Sequence, residues 1–119
     1  MAIESYENLI VWQKAMGLVV LIYKLVYKFP KEEIYGLTAQ MKRASVSIPS
    51  NIAEGSRRSS RKDFRNFLLN AYGSGAELET QLKIAEMLNF ANPKDYIEVK
   101  NLLSEIMRML NKLCNSLKI

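Results

Sequence analysis

Between Tyr96 and Leu117 an apolar side chain recurs at steps of three and four without a miss: Tyr96, Val99, Leu103, Ile106, Leu110, Leu113 and Leu117. Only an α-helix gathers such a series on one face. That face must be covered by other elements. No segment shows the sustained alternation that a half-buried strand needs, so the cover is expected to be helical. Leu102 and Met109 widen the seam beyond a strict coiled-coil stripe. The start of this helix is marked as well: Asn92 can cap, Pro93 takes the first helical position and Asp95 sits in the first turn.

Three further segments carry helical periodicity. The first runs from Leu9 to Phe29 and ends at Pro30, which disfavours helix at the residue before it. Its main apolar face is Trp12, Ala15, Val19, Ile22, Val26 and Phe29. Val11, Leu18 and Leu25 form a second stripe, Val20 and Tyr27 add to a third, and Lys14, Gly17, Lys24 and Lys28 leave only a narrow wet strip. A bundle helix needs one apolar face. This one is therefore expected to be buried on two sides, the second being a subunit interface.

The second helix begins near Lys31–Glu33, with its main part from Leu37 to Glu54 and a core stripe of Leu37, Met41, Ala44, Ile48 and Ile52. Pro49 falls inside it. The apolar spacing carries straight through, which favours a kinked but continuous helix over a break at Ser47–Pro49. Gly55 reads as the C-terminal stop. The third helix starts at Ser59 or Ser60, where Ser60 and Asp63 have capping-box spacing. Its stripe is Phe64, Phe67, Leu68, Ala71, Gly75, Leu78, Leu82, Ala85 and Leu88. Gly73-Ser74-Gly75 interrupts its propensity. The stripe resumes in phase, so close packing of a neighbouring helix is favoured there over a break. Four long helices with short connections predict an all-α fold, an antiparallel up-down-up-down four-helix bundle, with residues 1–119 as one domain.

The chain has no histidine, which removes the commonest general base and metal ligand. Glu-x-x-His pairs, the mark of di-metal carboxylate bundles, are thereby absent. Glu77 and Glu79 are two apart and cannot share a helix face. No phosphate-cradling glycine loop or nucleophile elbow occurs. Cys114, the single cysteine, fits an apolar helix pattern and reads as core. No catalytic residue, metal or cofactor is therefore expected. Residues 1–8 carry Glu4 and Glu7 instead of a basic leader, and the uncharged run Ala15–Tyr23 is too short to span a membrane. A cytoplasmic location away from membranes is the expectation.

The net charge of +5 is concentrated. Lys42, Arg43, Arg57, Arg58, Arg61, Lys62 and Arg65 face only Glu54 and Asp63 within 42–65, while the segments on either side are neutral. Such a stretch suits an anionic partner, most often nucleic acid. It also fits a solvated helix junction. No aromatic is interleaved from 42 to 63, and Phe64 and Phe67 fit the core, so base stacking is poorly supported. Inside the same stretch, Ser47, Ser50 and Asn51 stand near Pro49 and can re-satisfy carbonyls that it frees. Asn51 and Glu54 share a face, so a pocket there is the only foothold for an enzyme.

Trp12-Gln13-Lys14-Ala15, Phe29-Pro30, Tyr35-Gly36-Leu37-Thr38 and the run from Arg43 to Gly55, with Ser-Ile-Pro-Ser-Asn-Ile-Ala-Glu-Gly at its heart, resemble the 23S rRNA intervening-sequence protein family. Phe67-Leu68, Ala71, Gly73-Ser74 and Glu77-Leu78-Glu79-Thr80 continue the match. The resemblance implies a four-helix bundle assembling into a homopentameric ring. A related branch, the accessory variability determinant proteins of diversity-generating retroelements, implies partners in nucleic acid and a reverse transcriptase. Arg43 and Arg58 match basic positions of the family, and Ser47, Pro49, Ser50, Asn51, Glu54 and Gly55 belong to its motif. Gly75 departs from the pattern, where a bulkier residue is common. Two functions stay in view: a non-enzymatic oligomer that binds RNA or DNA backbone through the basic stretch, and a protein–protein adaptor or structural oligomer.

Overall fold

The computed structural model describes residues 5–118; Glu4, counted above among the acidic residues near the start, lies outside them. Four α-helices follow one another: α1 (Ile10–Val26), α2 (Leu37–Ser56), α3 (Arg61–Met87) and α4 (Ile97–Ser116). Short 3₁₀ turns precede α1, α2 and α4, at Tyr6–Asn8, Lys31–Glu33 and Pro93–Tyr96. No strand occurs among the described residues. The long dimension is 44 Å, close to the about 40 Å that a helix the length of α3 spans at 1.5 Å per residue.

The helices pack in a circuit, α1 on α2, α2 on α3, α3 on α4 and α4 back on α1. Cross-helix pairs show that α4 runs antiparallel to both α1 and α3. Lys14 meets Glu105 and Lys28 meets Asp95 between α1 and the α4 side. Lys100 meets Glu86, and Arg65 meets the Cys114 carbonyl, between α3 and α4. The Lys28 ammonium, hydrogen-bonded to Asp95, holds that carboxyl below its ordinary 3.8.

Helix ends follow local chemistry. The Ser60 hydroxyl accepts from the Asp63 amide at 3.1 Å, and the Asp95 carboxylate accepts from the Asn92 amide at 3.1 Å. Glu33 caps α2 directly, its carboxylate taking the Leu37 amide at 3.1 Å. α2 runs unbroken through Pro49, as the apolar spacing predicts. α3 likewise runs through Gly73–Gly75. The close neighbour at Gly75 is a side chain and not a helix backbone: the Met107 thioether of α4 fills the space that a β-carbon would take.

Several expectations need correction. α1 ends at Val26 and Phe29 lies in the following turn. Gly55 is no stop: it is buried inside α2, where a β-carbon would stand 2.6 Å from Phe67 Cβ. Leu88 lies past the end of α3 and is exposed. On α1, Val11, Leu18 and Leu25 are core, together with Ala15 and Ile22, because the helix faces both α2 and α4. Only one side of α1 is buried within the chain. The uncovered stripe is Met16, Val20, Tyr23 and Tyr27, again at steps of four and three.

Candidate nucleic-acid interface

The seven basic candidates fall into two places. Lys42 and Arg43 lie in the second turn of α2, and Arg57 is about 21 Å further along than Arg43 at 1.5 Å per residue. Arg57 and Arg58 follow the last turn of α2, and Arg61, Lys62 and Arg65 occupy the first turns of α3. The Arg61 guanidinium donates to the Ser116 carbonyl at 2.9 Å, and Arg65 Nε donates to the Cys114 carbonyl at 3.1 Å. Two of the seven thus bind the carbonyl end of α4, where cations are favoured by the helix dipole. They keep their charge and their remaining donors.

This end of the bundle therefore gathers the end of α2, the start of α3 and the end of α4. Lys118 follows α4 here. A linear reading misses it, since only the return of the fourth helix brings it beside the junction. Glu54 is drawn into an i,i+4 pair with Arg58 at 3.1 Å, leaving Asp63 as the exposed carboxylate of the α3 first turn.

Aromatic rings also stand beside these cations, contrary to the linear reading. Arg57 lies 5.4 Å from the Tyr6 ring centroid and Arg58 4.8 Å from that of Phe67. Phe67 is half-buried and not a full core residue. Both contacts cross between elements, so spacing along the chain carries no sign of them.

The polar residues around Pro49 do a different job from the one expected. The carbonyl deprived of its amide by Pro49 belongs to Ser45, yet Asn51 Nδ2 donates to the Ser47 carbonyl at 2.8 Å and to Ser47 Oγ at 2.9 Å. The Ser47 hydroxyl also shares a hydrogen bond with Ser74 Oγ, 2.8 Å away on α3. The network ties α2 to α3 and fixes their register. Ser50 is exposed and joins no side-chain hydrogen bond among the described residues. Asn51 turns toward α3 while Glu54 pairs with Arg58, so the two do not converge on a common pocket. Among the described residues no group of acidic or cysteine side chains is placed to hold a metal, and no helix is long and apolar enough to cross a membrane.

A family model described as 23S rRNA-intervening sequence protein matches residues 7–112. Among solved structures, the chain is similar to a crystal structure of a protein of unknown function from the S23 ribosomal protein family of Bacteroides thetaiotaomicron. The two are 26% identical with a TM-score of 0.79, and the match covers 88% of this chain and 98% of that one. No curated protein matches the chain.

Proposed function

The chain belongs to the 23S rRNA-intervening sequence protein family, and from that premise we propose that it is a non-enzymatic, oligomeric protein that binds the phosphate backbone of RNA or DNA. The observation behind this reading is the convergence of Arg57, Arg58, Arg61, Lys62 and Lys118 at one end of the bundle, against Glu54, paired to Arg58, and Asp63. Cations on rigid helix ends contact phosphates without reading base edges, so binding should fall steeply with salt and show little sequence preference. Fluorescence anisotropy with labelled rRNA fragments and duplex DNA, titrated across salt, tests it. Neutralising Arg57, Arg58 and Lys62 together should lower the affinity for all these nucleic acids and flatten the salt slope by about three units in log–log form, about one per lost phosphate contact. Unchanged affinity in that variant would overturn the assignment.

A second reading is favoured by the bare apolar stripe of α1. Met16, Val20, Tyr23 and Tyr27 form a row that the chain does not cover, and such rows mark protein contacts. Self-association on this stripe, as a homopentameric ring, is the form of the oligomer we propose. In that case the protein serves as a structural oligomer or adaptor, for example an accessory subunit of a reverse transcriptase. Absence of any nucleic-acid affinity at low salt, with the oligomer intact, would select this reading over the first.

A further inference from the structure

At the end of the α1 stripe, whose Tyr23 and Tyr27 it shares, we infer that the groove between the end of α1 and the start of α2 binds a small amphipathic carboxylate. Its apolar body would rest on Tyr27, Phe29 and Ile34, and its carboxylate on the Lys42 ammonium and the Thr38 hydroxyl. The groove holds about 660 Å³, inside the range of roughly 300–1,000 Å³ found for small-ligand sites. It arises from the path of the chain. α1 stops at Val26, Pro30 directs the backbone into the Lys31–Glu33 turn, and α2 starts at Leu37. Ile34, after that turn, and Tyr27 both line the groove and are exposed within the single chain, Tyr27 by 90% and Ile34 by 55%.

The charged groups that line the groove, Lys31 and Lys42, are both cationic. Thr38 is only 6% exposed, lines the groove, and its hydroxyl makes no hydrogen bond among the described residues. Lys42 Nζ is held against the groove wall, 4.8 Å from the Tyr23 ring centroid, and Lys31 stands at the rim. Neither lysine has an ion-pair partner among the described residues, so both ammonium groups are open to an incoming anion. No carboxylate lines the groove. An ammonium flanked by apolar walls interacts with an anion more strongly than one in open water. The same walls suit an aromatic or branched body and not a phosphodiester chain, which carries charge at every step. Lys42 lies about 22 Å along α2 from Arg57, so this site is separate from the basic end. The neighbouring surface at Val19, Val20 and Lys24 shares Tyr23 and Tyr27 with the groove and is flatter.

The test is an NMR titration of the ¹⁵N-labelled full chain with 2-naphthylacetate and, separately, with 2-naphthaleneethanol, the same ring without a charge. Saturable shifts should centre on the amides of Ile34, Thr38 and Lys42. The carboxylate should bind about tenfold more tightly than the alcohol, as a charge-assisted hydrogen bond implies. Lys42→Met should erase that difference, and Thr38→Val should weaken the carboxylate alone by a few fold. Equal affinity for acid and alcohol would overturn the proposal, as would shifts centred on Met16 and Val20, or no saturable shift at millimolar carboxylate.

Discussion

Gln81 is 5% exposed on α3, and its Oε1 accepts no hydrogen bond among the described residues. A buried acceptor left unpaired costs about 1–3 kcal/mol. Gln81→Met keeps the length of the side chain and removes the amide. The variant should be more stable by about 1–2 kcal/mol, read as a higher urea midpoint at unchanged slope. Tyr96 is the opposite case. It is buried, and its hydroxyl donates to the Phe90 carbonyl across the α3–α4 turn, where Asn89 and Ala91 hold φ of 61° and 62°. Burial, aided by Glu86 and Asp95, pushes the phenol from its ordinary 10.0 up to about 12. The raised value means that the folded chain holds this proton more tightly than the unfolded one. The stabilisation is complete below about pH 10 and is lost as pH rises through about 12. Tyr96→Phe should be less stable at neutral pH by about 1–2 kcal/mol. Its stability should also lack this alkaline fall, so that urea unfolding from pH 8 to 11 brings the two proteins together.

Glycines on the helices separate propensity from packing. Gly73 has nothing within 4 Å of the place where a β-carbon would stand. Gly73→Ala should therefore stabilise α3 by about 0.8–1 kcal/mol through helix propensity alone. Gly55 has the same propensity to gain and much more to lose. Its β-carbon would meet Phe67 Cβ at 2.6 Å, Phe64 Cδ1 at 3.1 Å and the Phe64 carbonyl oxygen at 3.3 Å. A carbonyl and a β-carbon cannot swing aside as a side-chain tip can, so α2 and α3 would have to separate. Gly55→Ala should lower stability by about 1–3 kcal/mol, and thermal unfolding of the two variants should move in opposite directions. The pairing of Gly55 with Phe67, and of Ser47 with Ser74, makes α2 and α3 the most intimately packed pair of the bundle. The Ser-Ile-Pro-Ser-Asn-Ile-Ala-Glu-Gly run thus works as an interhelical surface: Pro49 is tolerated within it, and Asn51 and Gly55 face α3.

Across the whole molecule, the densest basic cluster and the bare apolar stripe lie on different elements. The basic residues collect at the end where α2 gives way to α3, and the bare apolar stripe runs along α1. Met16→Glu combined with Val20→Glu places two charges on that stripe without touching the core, which uses Ala15, Leu18 and Ile22. The double variant should keep its helical signal and sediment as the 13.7 kDa monomer, while the parent chain sediments at a higher mass. A parent chain that is itself a 13.7 kDa monomer at micromolar concentration would remove the oligomer from the proposed function. Comparing phosphate-backbone affinity of the double variant with that of the parent would then show how far binding depends on several basic ends acting together.

The four helices were legible in the amino-acid sequence because each is a local pattern: the seam from Tyr96 to Leu117, the Ser60 start, and the in-phase stripes through Pro49 and Gly75; after Asn92 the expected helix start is a 3₁₀ turn, Pro93–Tyr96, and α4 begins at Ile97. The basic excess at 42–65 was legible for the same reason. What the periodicity of α1 could not decide was which of its stripes stays bare, since that depends on where α2 and α4 sit around it. Gly55 looked like a stop because a glycine near a helix end has one local meaning, and its contact with Phe67 is made across two helices. Asn51 and Ser47 share a face by their spacing of four, but the partner of Ser47, Ser74, lies 27 positions away. The split of the basic stretch into an end cluster and a groove lysine likewise follows from helix geometry. The sequence by itself determined the elements, their order and their charge; the tertiary structure alone decided which side chains meet, because pairing across helices is set by packing in three dimensions and leaves no period along the chain.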